Sequence, residues 1–213
     1  MPPVTDAAVL PATGGLRERR RLQTADEIER TALALFVERG FGAVTVEEIA
    51  LTAGVSPRTF FRYFPSKELV LLRDQDRRIS QLRDALAARP DDEPVLASMR
   101  RALLAMAEVY EVDRDHAVQW ATVITDTPSL LPRFAGYATE FMAVVITFVA
   151  GRLGLNPQAD LRPGVIAVAM TGATHVAYER WLADPSTPLP ALVGESLDFV
   201  ETGFRTVVRG ALR

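Results

Sequence analysis

Between Thr52 and Glu68 the chain reads TAGVSPRTFFRYFPSKE, which places Arg58 and Arg62 four residues apart among Phe60, Phe61, Tyr63 and Phe64. Four residues is about one helical turn, so both guanidinium groups share one face while Phe60 and Phe64 share the opposite one. A guanidinium fork donates paired hydrogen bonds to planar acceptors, which on a polyanion are phosphate oxygens and purine edges. Thr59 adds a hydroxyl beside that face, and Lys67 adds a point charge a few residues on. Aromatic bulk on one side and cations on the other describe a helix locked to a core and aimed at an anionic partner.

The means for covalent or acid–base catalysis are thin. There is no cysteine, and the two histidines, His116 and His175, stand far apart with no metal-ligand spacing such as HExxH. No glycine-rich phosphate loop follows a strand, and no Gly-x-Ser-x-Gly is present. His116, next to Asp115 at an expected helix start, reads as a surface or capping-region residue; His175, on an apolar helical stretch, reads as a core or pocket histidine. No enzymatic activity, cofactor or metal is expected. The lack of cysteine excludes a disulfide scaffold and fits a reducing cytoplasm.

The elements that must hold the cationic face are legible in the spacing of apolar and capping residues. Strand signals are nearly absent, so the fold class is all-α, with about nine helices. Thr24 or Asp26 can cap a first helix carrying Ile28, Ala32, Leu35 and Phe36 on one face, ended by Gly40 in a left-handed position. Thr45 caps a short helix with Glu48 at capping-box distance; Gly54 supplies the turn; Ser56 caps the next helix with Pro57 in its first turn. Two short helices joined at a glycine form a helix-turn-helix pattern, and Arg58, Thr59 and Arg62 are its outward surface. Ser66 caps a fourth helix reaching about Ala88. Longer helices follow at roughly 94–111, 116–125, 130–153, 163–183 and 189–211, with prolines at the joints.

Charge and length set the frame. The 213 residues carry a net charge of −3, and the first 70 balance nine cations against nine acids, so the chain is no polycation. Four of the five residues in RERRR (17–21) are arginine, a local cluster that as a flexible arm would reach a minor groove or backbone. Residues 1–16 read as a flexible Pro-, Gly- and Ala-rich tail without signal-peptide order, 17–70 as the helix-turn-helix domain, and 71–213 as a larger helical domain. The longest apolar run, FMAVVITFVA at 141–150, is about half the ~20 residues that span a bilayer, so a soluble protein is expected.

From about Arg20 to Leu72 the sequence resembles the TetR family of bacterial one-component regulators. ALALFVERGFGAVTVEEIALTAGVSPRTFFRYFPSKELVL carries that family's N-terminal signature almost throughout. The resemblance implies a homodimer with two DNA-binding heads on a larger ligand-responsive helical domain.

 In the family, positions matching Pro57, Arg58 and Thr59 meet bases, while those matching Thr45, Phe61, Tyr63 and Lys67 mostly meet the backbone. Ser56 and Arg62 complete the expected DNA-binding set. Many relatives carry Tyr where this chain has Phe61, so a hydroxyl–phosphate bond is unavailable there and apolar contact takes its place. The double-stranded operator implied is pseudopalindromic, and repression is the family's usual mode.

In the C-terminal half, Trp120, Phe134, Tyr137, Met142, Met170 and Thr174 are the candidate lining of an apolar ligand pocket. The stretch QWATVITDTPSLLPRFAGYATEFMAVVITFVAGRLG, with HVAYERWLAD later, is similar to the TetR branch with acyl-CoA-like ligand domains, which includes regulators linked to the mycofactocin system. That likeness implies a long apolar effector with a thioester or nucleotide portion near Arg133 or Arg152; drug-like aromatic or lipid effectors stay open. Helices at about 163–183 and 189–211 carry small and apolar residues suited to a four-helix dimer interface. The alternative is a dimeric ligand-binding or protein-contact module without specific DNA binding.

Overall fold

The computed structural model describes residues 15–184 and 186–203, with the side chain of Arg133 also outside that description. Most of the expected tail and the end of the last expected helix, beyond 203, therefore lie outside the described residues. Within them the chain forms nine α-helices and a 3-10 turn: α1 (Leu16–Arg39), α2 (Val46–Thr52), α3 (Pro57–Tyr63), α4 (Lys67–Ala87), α5 (Val95–Val112), α6 (Arg114–Asp126), the turn (Pro128–Leu130), α7 (Leu131–Leu153), α8 (Arg162–Ala183) and α9 (Leu189–Thr202). The fold is all-α, as the apolar periodicity requires.

Helix α1 corrects two expectations. It begins at Leu16, ahead of both proposed caps, because LRERRRL is built of strong helix formers and Glu18 lies 3.9 Å from Arg21 one turn on. Thr24 sits inside the helix, its hydroxyl donating to the Arg20 carbonyl at 2.9 Å, and Asp26 pairs with Arg73 at 2.6 Å. Arg17, Arg19, Arg20 and Arg21 are thus exposed side chains on helical turns, not a flexible arm. Gly40 does end α1, but at φ 81° and ψ 144°, a region open to glycine that is not the left-handed helical one.

Two apolar cores follow. The first gathers Ile28, Leu33 and Phe36 of α1 with Ile49, Phe60, Phe64 and Leu71, and draws in Val123 and Leu130 from later in the chain. The second is built from Leu82, Met99, Leu103, Val149, Met170, Trp181 and Leu197. Helix α4 serves both, through Val70 and Leu71 at its start and Leu82 and Leu86 near its end. It is the shared rod on which the first three helices and the rest are mounted.

Helix α7 also exceeds its sequence reading. The apolar stretch extends over Phe134–Leu153, 20 residues of mean hydropathy 1.5, long and apolar enough to cross a membrane by length and composition alone. Of its most apolar window 17% is fully buried, and the rest is divided between half-buried positions such as Phe141, Val144 and Phe148, which pack against the second core, and exposed ones. The ten-residue run at 141–150 understated it because Thr139 and Glu140 interrupt the apolar stretch without making the helix polar.

Candidate nucleic-acid interface

The α2–α3 pair is assembled by caps at each end. The Thr45 hydroxyl accepts from the Glu48 N–H at 3.2 Å, while the Glu48 carboxylate accepts from the Thr45 N–H at 2.8 Å and its hydroxyl at 2.9 Å. These bonds from Thr45, backbone first, hold the Glu48 carboxyl below its ordinary 4.5, against a smaller opposing effect of burial. Gly54 turns the chain at φ 67°, where a β-carbon would be strained. Ser56 then caps α3: its hydroxyl oxygen accepts from the Thr59 N–H at 3.1 Å and lies 2.9 Å from the Thr59 hydroxyl. Pro57 takes the first helical position, where its missing N–H leaves nothing unpaired.

The faces of α3 divide as one turn of spacing demands. Phe60 is wholly buried and Phe64 nearly so, their ring centroids 5.7 Å apart. Burying one such ring contributes about 1.5–3 kcal/mol, enough to fix the rotation of a seven-residue helix. Arg58 and Arg62 are exposed, Thr59 is half-buried beside them, and the Arg62 guanidinium lies 5.1 Å from the centre of the Tyr63 ring. Phe61 is half exposed, an apolar ring on an otherwise polar surface.

Lys67 has a second commitment that its spacing did not announce. Its ammonium donates to the Phe41 and Val44 carbonyls, each at 2.7 Å, and sits 4.5 Å from the centre of the Phe41 ring. The lysine ties α4 to the α1–α2 connection and keeps one N–H for another acceptor.

Behind this surface lies a buried charged junction that sequence reasoning missed. Arg73 of α4 forks onto α1, to Asp26 at 2.6 Å and to the nearly buried Glu29. The neighbouring Asp74 accepts from Arg77 and Arg78 of its own helix. Burial pushes the Asp74 carboxyl up, but the two arginines outweigh it and hold it below the ordinary range. Arg78 in turn lies 3.5 Å from the centre of the Tyr110 ring on α5, and Tyr110 packs edge-on against Tyr178 of α8. The i, i+3 and i, i+4 spacings within α4 were legible; the partners on α1, α5 and α8 were not.

The two histidines exchange their expected places. His116 is buried, its Nε2 3.4 Å from the Glu29 carboxylate, because α6 packs that side against α1. His175 is exposed and faces Glu179 at 3.2 Å, since its side of α8 is uncovered. Glu29, Asp74 and His116 offer ligand atoms within 4.8 Å of one another. Both carboxylates already serve arginines, so the donor set fits an ion-pair junction better than a dication.

The family is settled by how much of this architecture the known models span. Residues 28–73 match the model described as bacterial regulatory proteins of the TetR family, and residues 93–205 match the MftR C-terminal domain. The chain belongs to the TetR family. A Mycobacterium tuberculosis H37Rv protein named as a mycofactocin biosynthesis transcriptional regulator, MftR, is 33% identical over 185 residues, 87% of this chain and 93% of its own. The HTH-type transcriptional regulator TcmR of Streptomyces glaucescens is 33% identical over 184 residues, 84% and 81% of the two chains. Among solved structures, the transcriptional regulator FadR of Bacillus subtilis in complex with stearoyl-CoA superposes with a TM-score of 0.60 at 15% identity, covering 82% of this chain and 96% of its own. That likeness concerns the fold. Both family models and these relatives are transcriptional regulators, a non-enzymatic class.

In this TetR-family chain the six candidate pocket residues do not share one cleft. Trp120 and Phe134 meet edge-on at 5.4 Å against the first core, and the Trp120 indole N–H donates to the Leu71 carbonyl at 3.1 Å. Met170 is fully buried in the second core, Met142 packs against that core, and the Thr174 hydroxyl is turned back onto the Met170 carbonyl at 3.0 Å. Tyr137 alone of the six lines a cleft described here, one of 400 Å³ between α4 and α7. Burial there pushes its phenol well above the ordinary value. Arg152 is held by the carbonyls of Arg89, at 2.8 Å, and Pro90.

Proposed function

We propose that the protein is an effector-responsive DNA-binding regulator, acting in the cytoplasm as a homodimeric repressor on a pseudopalindromic operator. The observation that carries this is α3: exposed Arg58 and Arg62, with half-buried Thr59 beside them, opposite a buried Phe60–Phe64 face, in a chain of the TetR family. Residues 17–70 form the DNA-binding head and 71–213 the ligand-binding and dimerisation body. Pro57, Arg58, Thr59 and Arg62 meet base edges, while Thr45, Ser56, Phe61, Tyr63 and the remaining N–H of Lys67 engage the backbone.

The dimer forms through α8 and α9. Leu161, just ahead of α8, and Val165, Val168 and Val176 along it are more than half exposed, and Phe199 of α9 is exposed as well. A contiguous apolar stripe of this kind marks an interface. The effector is a small apolar or acyl-CoA-like molecule, a reading supported by the MftR-type body and the FadR-like fold. It releases the operator only insofar as it binds one spacing of the two heads better than the other.

Fluorescence anisotropy on DNA from upstream of the protein's own gene, titrated with salt, is the test. Tight binding that exceeds random DNA, weakens with salt and collapses in Arg58→Ala supports the reading. Equal, weak binding to every duplex, including those recovered by sequence selection, sinks it in favour of a ligand-binding module.

A further inference from the structure

Head and body also meet away from α4. Helices α1 and α6 run side by side in the same direction, Glu29 beside His116 early on and both helices ending at one cleft of 390 Å³. One wall of the cleft is apolar, formed by Phe36, Val37 and Phe41, with the Phe36 and Phe41 ring centroids 4.9 Å apart. The other is polar: Thr122 and Asp126 of α6 and Thr127 just past its end. Gly40 and Gly42 leave the space open, since a β-carbon added at either would meet nothing within 4 Å. Among the described residues the Asp126 carboxylate and the Thr127 hydroxyl have no hydrogen-bond or ion-pair partner. The Thr122 hydroxyl donates to the Val118 carbonyl and keeps its lone pairs.

The electrostatics of this cleft have one sign. The C-terminal end of a helix is the negative pole of its dipole, and here two such ends, after Arg39 and at Asp126, lie together. An aspartate in the last turn of α6 adds to that pole instead of opposing it, so its place is not explained by helix stability. The nearby cations are committed: Lys67 holds the Phe41 and Val44 carbonyls, and Arg39 faces Glu38 and Glu48 at 3.8 and 3.6 Å. We propose that the α1–α6 cleft is a binding site for a small organic cation with an apolar body, of arylalkylamine size. Its ammonium meets Asp126 and the hydroxyls of Thr122 and Thr127, and its ring lies against Phe36 and Phe41. The volume falls at the small end of the range for ligand pockets. The site touches no residue of α4, is separate from the effector's place in the larger domain, and does not rest on the acyl reading. A ligand that contacts α1 and α6 together clamps the head to the body, so less freedom is lost when two heads read one operator.

The probes are tryptamine, tryptophol and indole-3-propionate, one ring system carrying a positive, a neutral and a negative end. They are measured by calorimetry on the full-length protein at constant ionic strength, and by their effect on operator affinity in anisotropy. Tryptamine binds once per chain, tryptophol at least fivefold more weakly, and the propionate not at all. Asp126→Asn, at an exposed position, lowers tryptamine affinity at least tenfold and leaves tryptophol affinity unchanged. Thr122→Phe and Gly42→Val narrow the cleft from opposite walls and abolish tryptamine binding, while operator binding without ligand is kept and reports an intact fold. Saturating tryptamine tightens operator binding at least threefold in the unaltered protein and has no effect in Asp126→Asn. No tryptamine binding to the unaltered protein, equal affinity for the three probes, or undiminished affinity in Asp126→Asn overturns the cation site. Tryptamine binding that survives both narrowing variants overturns the cleft as its place. Binding there with operator affinity unchanged overturns the clamp. Calorimetry reports on the site whether or not the DNA-binding reading holds.

Discussion

Two cations, Arg58 in α3 and Lys67 at the start of α4, do different work. Arg58 is exposed on a helix whose opposite face is buried, so its loss removes contacts to the partner and little from the fold. Arg58→Ala is expected to weaken operator binding by roughly 1–3 kcal/mol in anisotropy while thermal stability and dimer mass stay unchanged. Lys67 holds two carbonyls of the α1–α2 connection. Lys67→Met should cost about 2 kcal/mol of stability, read as a lowered midpoint in urea, because two acceptors lose a charged donor. A variant that binds DNA poorly at full stability would instead assign the lysine to phosphate contact alone.

At the scale of the element, the short α2 depends on its capping box. The Glu48 carboxyl is held below its ordinary 4.5, so the box contributes fully above about pH 4.5 and is lost as pH falls through the lowered folded value. The stability gap between the unaltered chain and Glu48→Gln should therefore be present near neutrality and close in acid, as urea titrations across that range would show. A gap independent of pH would mean that the charge on Glu48 is not what holds the cap. Helix α1 makes the complementary point: its start was misplaced because Thr24 and Asp26 have capping chemistry, but one bonds back along the helix and the other answers Arg73 on α4.

For the whole molecule, the charged junction and the apolar face of α8 decide how the parts act together. Arg73→Ala leaves Glu29, only 5% exposed, without its cation, and removing one partner of a buried pair costs about 3–5 kcal/mol. Arg73→Met with Glu29→Gln should recover much of that loss in urea denaturation, since no buried charge is then stranded. Val168→Glu and Val176→Glu place charges on the proposed dimer face. Each should yield monomers in analytical ultracentrifugation and abolish tight operator binding, because two half-sites are then no longer read by one particle. Dimers that persist in both variants would move the interface elsewhere.

Local chemistry was enough to read the all-α class, the turn at Gly54, the caps of α2 and α3 and the two faces of α3, since each depends on neighbours within one or two helical turns. The family followed from the same stretch. What tertiary structure alone decided were the partners of long side chains and the cover over each helix face. Lys67 reaches carbonyls more than twenty residues away, and Arg73 reaches acids more than forty away. His116 is buried and His175 exposed because α6 is covered by α1 while that side of α8 is bare. Trp120 and Tyr137 occupy different places for the same reason: periodicity says which residues share a face, but only packing says what that face meets.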